Sequence, residues 1–176
     1  MNLNDLLNKL PDYAYDVKHN LSEVLNHETT PGMSQDEIAA VAIATALTTS
    51  SKLLIAHMER FARQFLSEKE LEGAKTAHAM MSMTNVYYGF IDRIKSSDYD
   101  KMPSNLQMKA GKKPGINQKA YEFAALGVSV INNCTDCMSF HERRLRKLDV
   151  STEGVQSCVR IAAVISATGQ LLQFDK

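Results

Sequence analysis

Cysteine, glycine, proline, charge of one sign and long hydrophobic runs are all scarce in this sequence, and each shortage removes a class of protein. Three cysteines in 176 residues do not make a disulfide framework, and in an intracellular setting reductants keep such thiols open. Two cysteines set close together, Cys134 and Cys137, are then expected to be chemical rather than structural. The 20 basic and 20 acidic residues cancel, leaving no basic field to gather phosphates and no acidic tail to recruit a basic partner. Nucleic acid is therefore not an expected ligand.

The longest apolar stretch, around residues 39–47, is about half the length a membrane span requires, so no membrane partner is expected. Residues 1–10 carry Asp5 before any basic residue and no continuous apolar core, the wrong order for a secretory signal. The chain is expected in the cytoplasm. Its 44% hydrophobic and 23% charged content suits one well-buried soluble domain.

Eight glycines and four prolines sit at a few punctuation points, and nearly every segment between them has helical rather than alternating periodicity. The expectation is an all-α fold of about seven helices, near 11–26, 34–48, 51–66, 68–95, 117–131, 134–147 and 151–172. Ser34 with Glu37 forms a capping-box pattern, and Pro11 suits a first helical turn. The stretch from Ser96 to Gly115 reads as a long connector.

The halves on either side of it look alike. Glu72-Gly73-Ala74 recurs as Glu153-Gly154-Val155, each leading a small-residue helix. This predicts a single domain over residues 1–176, with a degenerate first repeat at about 34–95 and an active second repeat at about 117–172. Counting back so that His57 faces His141 sets Ser50 and Leu53 opposite Cys134 and Cys137, and Ile38 opposite Glu122. Only the second copy keeps the reactive groups.

Those groups lie in Asn133-Cys134-Thr135-Asp136-Cys137-Met138-Ser139-Phe140-His141. With Asn133 as N-cap, both thiols fall near a helix start, where unpaired N–H groups favour thiolate. Their i, i+3 spacing brings the Cα atoms to about 5 Å, within disulfide range, so the pair can close and reopen. His141 follows Cys137 by one turn and is assigned as its base. Cys134, Cys137, Met138, His141, Leu145 and Leu148 form one inward stripe, with Arg143, Arg144, Arg146 and Lys147 mostly away from it. A partly shielded thiol beside a base suits exchange with an extended substrate arm.

Glu122 is the one carboxylate of the preceding core helix. Near His141 it would orient the ring and relay a proton; the alternative is a solvated first-turn glutamate. A Cys-x-x-Cys pair with a histidine is also a partial zinc ligand set, which keeps a zinc-stabilised interaction module open. No second knuckle exists, however, and Cys158 reads as a buried hydrophobe. Thioredoxin uses the same pair after a strand, and no strand is expected here. His19, His27 and His78 read as incidental, His57 as a relic of the repeat, and the nine methionines as core filler.

Glu122, eleven residues, Cys134-x-x-Cys137, three residues and His141 together resemble the pattern of the alkyl hydroperoxide reductase D family, within the carboxymuconolactone decarboxylase superfamily. The resemblance extends to Leu10-Pro11-Asp12-Tyr13-Ala14, Met83-Thr84-Asn85-Val86-Tyr87-Tyr88 and Lys113-Pro114-Gly115-Ile116. It implies an all-α homotrimer that reduces a peroxiredoxin partner of the alkyl hydroperoxide reductase C type and is a weak direct peroxidase. The implied reducing substrate is dihydrolipoamide on a lipoylated dehydrogenase-complex protein, with no tightly bound cofactor and no metal. By the same resemblance Cys137 is the nucleophile that becomes sulfenic acid, Cys134 the resolving thiol and proton donor, His141 the base and Glu122 the proton relay. Asp136 stands where the family often has histidine, and a carboxylate there opposes thiolate formation. The superfamily's other chemistry, decarboxylation of a cyclic lactone acid, is the competing function; it needs no redox-active thiol pair.

Overall fold

The computed structural model describes residues 3–174, and among these it is all-α with no strand. Nine helices follow in order: α1 (Leu3–Leu7), α2 (Tyr15–Val24), α3 (Gln35–Ala46), α4 (Lys52–Ala62), α5 (Glu68–Ile94), α6 (Ser97–Asp100), α7 (Gln118–Ile131), α8 (Thr135–Lys147) and α9 (Thr152–Phe174). The seven expected helices are α2 to α5 and α7 to α9. Helices α1 and α6 were not expected: at five and four residues they are too short to display a 3.6-residue period. Segments this short are not stable alone; α1 is anchored by Leu6, which is fully buried.

Helices α3 and α7 form the centre, packed on each other and ringed by α4, α5, α8 and α9. Ile38 through Ala44 on α3 are all fully buried, so this helix is apolar around its circumference rather than along one stripe. The two central helices approach closely at Gly127, where an added Cβ would stand 2.9 Å from Thr45 Cγ2 and 3.1 Å from Val41 Cγ1. Overpacking at such a contact costs about 1–3 kcal/mol.

The two Pro-Gly turns dock reciprocally. Gly32, at φ 77°, lies on the first turn of α9, where a Cβ would meet Gly154 N at 2.6 Å. The turn at Pro114-Gly115 lies on the first two turns of α5, where a Cβ on Gly73 would meet Pro114 O at 2.7 Å. The Gly of each Glu-Gly motif thus admits a loop from the opposite half of the chain. The caps also set a register: one interval separates Ser34 from Asn117 and Ser51 from Cys134, the N-caps of α3, α7, α4 and α8. Counted back by that interval, His141 falls on Met58, so the expected pairing of His57 with His141 is displaced by one residue.

By length and composition α9 is apolar enough to cross a membrane over Thr152–Gln173, a longer candidate than the stretch at 39–47. It packs on α2, α3 and α7, with Cys158, Ile161 and Ile165 fully buried, which is the position of a core helix.

Candidate active site

The site is built on the joint between α7 and α8. The amide of Asn133 donates to Val130 O at 3.1 Å and that of Cys134 to Ser129 O at 3.1 Å, the paired bonds of a Schellman ending. Asn133 supplies the left-handed residue such an ending requires, at φ 52°. It is therefore consumed in closing α7 and does not cap α8, contrary to the sequence expectation. Cys134 is the N-cap instead, its Sγ accepting from Cys137 N at 3.4 Å.

Cys134 and Cys137 are joined in a disulfide, with Cα atoms 5.3 Å apart. The two sulfurs differ in access: Cys134 is 0% exposed, whereas Cys137 is 7% exposed and lines a cavity of about 1170 Å³. Helix α5 contributes Met81 to the walls, α7 contributes Tyr121 and Glu122, and α8 contributes His141 and Arg144. The remaining wall is the connector from Met108 to Ile116. Read in the sequence only as a link between halves, it encloses the site.

Glu122 is 2% exposed and has two partners, so the solvated alternative does not hold. Its Oε2 lies 2.7 Å from His141 Nδ1, and its Oε1 accepts from Arg144 Nε at 2.5 Å. With a carboxylate as acceptor, Nδ1 carries the proton. The other ring nitrogen, Nε2, lies 3.2 Å from Met81 Sδ. His141 and Cys137 share one face of α8 and one cavity, but both nitrogens of the ring are engaged elsewhere in this disulfide state.

Sequence reasoning missed Arg144, which it placed away from the reactive stripe. It lies one turn beyond His141, and that i, i+3 spacing was the available signal. Its guanidinium also sits over Phe140, 5.5 Å from the ring centroid. Tyr121 was missed as well. Burial first, and the Glu122 carboxylate second, push its phenol up to about 12, so it faces the cavity as a protonated hydroxyl. An added Cβ at Gly111 would stand 2.7 Å from that hydroxyl, so the connector glycine makes room for it.

Cys158 is free and fully buried against α7, its Sγ 3.2 Å from Phe123 O, and burial pushes its thiol well up. It is the inert hydrophobe expected. His57 is buried, with Nδ1 2.9 Å from Leu53 O, and neither it nor His78 lines the cavity. Asp136 does line it. Among the described residues no three His, Cys, Asp or Glu side chains converge as a metal site.

The sequence matches the carboxymuconolactone decarboxylase family over residues 97–174. It is 38% identical over 163 residues to alkyl hydroperoxide reductase AhpD of Coxiella burnetii (strain RSA 493 / Nine Mile phase I), covering 93% of this chain and 92% of that one. It is 35% identical over 173 residues to the protein of that name from Bradyrhizobium sp. (strain BTAi1 / ATCC BAA-1182), covering 98% and 94%. To that from Brucella melitensis biotype 1 it is 36% identical over 174 residues, covering 98% and 97%.

Proposed function

Since this chain belongs to the alkyl hydroperoxide reductase AhpD family, within the carboxymuconolactone decarboxylase family, we propose that it carries electrons from dihydrolipoamide to a peroxiredoxin. The antioxidant, alkyl hydroperoxide reductase-type role comes with the family. The finer reading is a cytoplasmic homotrimer reduced by a lipoylated dehydrogenase-complex protein. It serves a peroxiredoxin of the alkyl hydroperoxide reductase C type and reduces alkyl hydroperoxides weakly by itself. One observation carries this reading: a closed Cys134–Cys137 disulfide of which the accessible sulfur, Cys137, faces a cavity shared with His141 and Glu122. A cavity of about 1170 Å³ is ample for a lipoyl arm.

In the reductive half, one thiolate of dihydrolipoamide attacks Cys137 Sγ and the disulfide breaks. Cys134 leaves as a thiolate, and the Cys137 amide aimed at its sulfur makes it a good leaving group. The second thiol of the donor attacks the mixed disulfide, leaves as cyclic lipoamide and releases Cys137. With a peroxiredoxin disulfide the sequence reverses: Cys137 attacks and Cys134 resolves. With a hydroperoxide, the Cys137 thiolate takes the distal oxygen, the alcohol departs, and Cys134 displaces water from the sulfenic acid to close the disulfide.

His141 takes the Cys137 proton through a turn of its ring or one bridging water. Glu122 fixes Nδ1–H, and Arg144 fixes Glu122. Decarboxylation of a lactone acid would have no use for a closing thiol pair. In a zinc module the two sulfurs would bind metal rather than each other. The deciding experiment is thiol titration of metal-free protein before and after dihydrolipoamide: Cys134 and Cys137 should appear alongside Cys158, and no gain would sink the reading.

A further inference from the structure

We propose that Met81 is a peroxide-modification site: an organic hydroperoxide in the cavity oxidises its thioether to the sulfoxide while the Cys134–Cys137 disulfide is closed, and the sulfoxide oxygen then captures His141. The inference rests on the reading that hydroperoxides enter this cavity. Once the disulfide is closed, neither cysteine is a nucleophile, and the reduced sulfurs left in the cavity wall are those of Met80, Met81 and Met108. A hydroperoxide arriving before the next reductant meets a thioether.

Met81 stands apart from the other two by what surrounds its sulfur. Three polar groups converge on Sδ: His141 Nε2 at 3.2 Å, Asn85 Nδ2 at 3.7 Å and Thr84 Oγ1 at 3.8 Å. The amide is not there by default. Asn85 is held in place by Ser129 Oγ at 3.1 Å and by Asn132 Nδ2 at 3.0 Å, which aims its second N–H at Met81. A thioether is a weak acceptor and uses little of this; a sulfoxide oxygen is a strong one.

The sulfur lone pair attacks the distal oxygen of the hydroperoxide and the O–O bond breaks. Two electrons leave sulfur, the oxygen stays on it, and the hydroperoxide's own proton ends on the departing alcohol. The Asn85 N–H aimed beside Sδ stabilises the negative charge that builds on the leaving oxygen, an aid tied to this position. Once His141 has taken up a proton, with Nδ1–H still on Glu122, its Nε2–H bonds the sulfoxide oxygen far more strongly than it would the thioether, and the ring is held from turning back to Cys137 as a base. Turnover slows while peroxide outruns reductant, and methionine sulfoxide reductase reverses the change.

Exposure alone predicts another order of oxidation. Met102 is 61% exposed, Met83 and Met108 are 36%, and Met81 is 6%. The test exposes the disulfide form to cumene hydroperoxide and localises added oxygen by fragmenting the tryptic peptide 76–93 beside that bearing Met102. Met81 should gain oxygen first. After re-reduction by dihydrolipoamide, activity should be down by about 10²-fold, the share a general base contributes, and sulfoxide reductase should restore it. Met81→Leu, whatever its starting activity, should keep that activity within about twofold through the same exposure. Oxidation led by Met102, or an unmodified Met81, overturns the inference whatever Cys137 does. Dimedone labelling of reduced protein separates the two readings: oxidised Met81 with unlabelled Cys137 counts against the peroxidase reading alone.

Discussion

Arg144 reaches the Glu122 carboxylate with its Nε at 2.5 Å, on the oxygen opposite the one that faces His141. The carboxylate is almost fully buried, while the arginine side chain is 41% exposed. A buried carboxylate with one histidine partner is costly to keep charged, and a second, permanently cationic partner offsets that cost.

Arg144 is therefore a positioning residue that acts through Glu122. Glu122→Gln should slow turnover by about 10²-fold, as expected for loss of a proton relay, without unfolding the protein. Arg144→Met should cost roughly five- to tenfold, in keeping with about 1 kcal/mol for a half-exposed partner. Because one acts through the other, the double variant should be no slower than Glu122→Gln alone. Steady-state rates with dihydrolipoamide decide this; full additivity would remove Arg144 from the relay.

Tyr121 makes the protein more alkali-sensitive. Its phenol is pushed from 10.0 up to about 12 in the folded chain, so above the unfolded value the unfolded state loses a proton that the native state keeps. Stability is intact below about pH 10 and falls as pH rises toward 12, by an amount on the order of 2 kcal/mol. Cys158, its thiol also raised by burial, acts in the same direction. Tyr121→Phe should melt closer to its neutral-pH temperature at about pH 11 than the parent does. Equal alkaline losses in the two proteins would show that Tyr121 is not the group responsible.

The expectations that held were those fixed within one element. Cys137 and His141 share a face of α8 because helical spacing alone puts them there, with Cys134 just ahead of them as the N-cap, and the helices themselves follow from unbroken 3.6-residue periodicity. What was not legible depended on contacts between elements. The Glu122–His141 bond needs the packing of α7 on α8, which no spacing encodes. Asn133 has the chemistry of an N-cap and also of a left-handed helix end, and the end of α7 took it. Arg144 has the composition of a solvated face, and the connector has that of a linker. Only the folded chain shows one reaching Glu122 and the other walling the cavity.

Val86, Phe90 and Ile94 are 74%, 46% and 51% exposed on successive turns of α5. Tyr99 of α6 extends the patch by an edge contact with Phe90, ring centroids 5.3 Å apart. A contiguous apolar face of this kind is the surface expected to meet other copies of the chain in the proposed homotrimer. Light scattering at micromolar concentration should give the trimer mass, and a Val86→Glu, Phe90→Glu double variant should shift it to monomer with its helical content retained. A monomeric parent protein would contradict the assembly, and a trimeric double variant would move the interface elsewhere.

Cys137 and Cys134 should behave unequally toward peroxide. Only Cys137 opens to the cavity, and Cys134 is fully buried behind it, so an incoming oxygen reaches one sulfur. Of the two, Cys137 also lies one helical turn from His141, within range of a base acting directly or through water. Cys134, at the N-cap with the Cys137 amide at its sulfur, is suited to leaving and to resolving rather than to first attack. Cys137→Ser should abolish dimedone labelling after a brief hydroperoxide pulse. Cys134→Ser should still form the sulfenic acid but leave it unresolved, so that it accumulates adducts with added thiols. Intact mass reads both outcomes. Labelling kept in Cys137→Ser and lost in Cys134→Ser would reverse the roles, making the first cysteine the attacking one and the cavity-facing sulfur the resolving one.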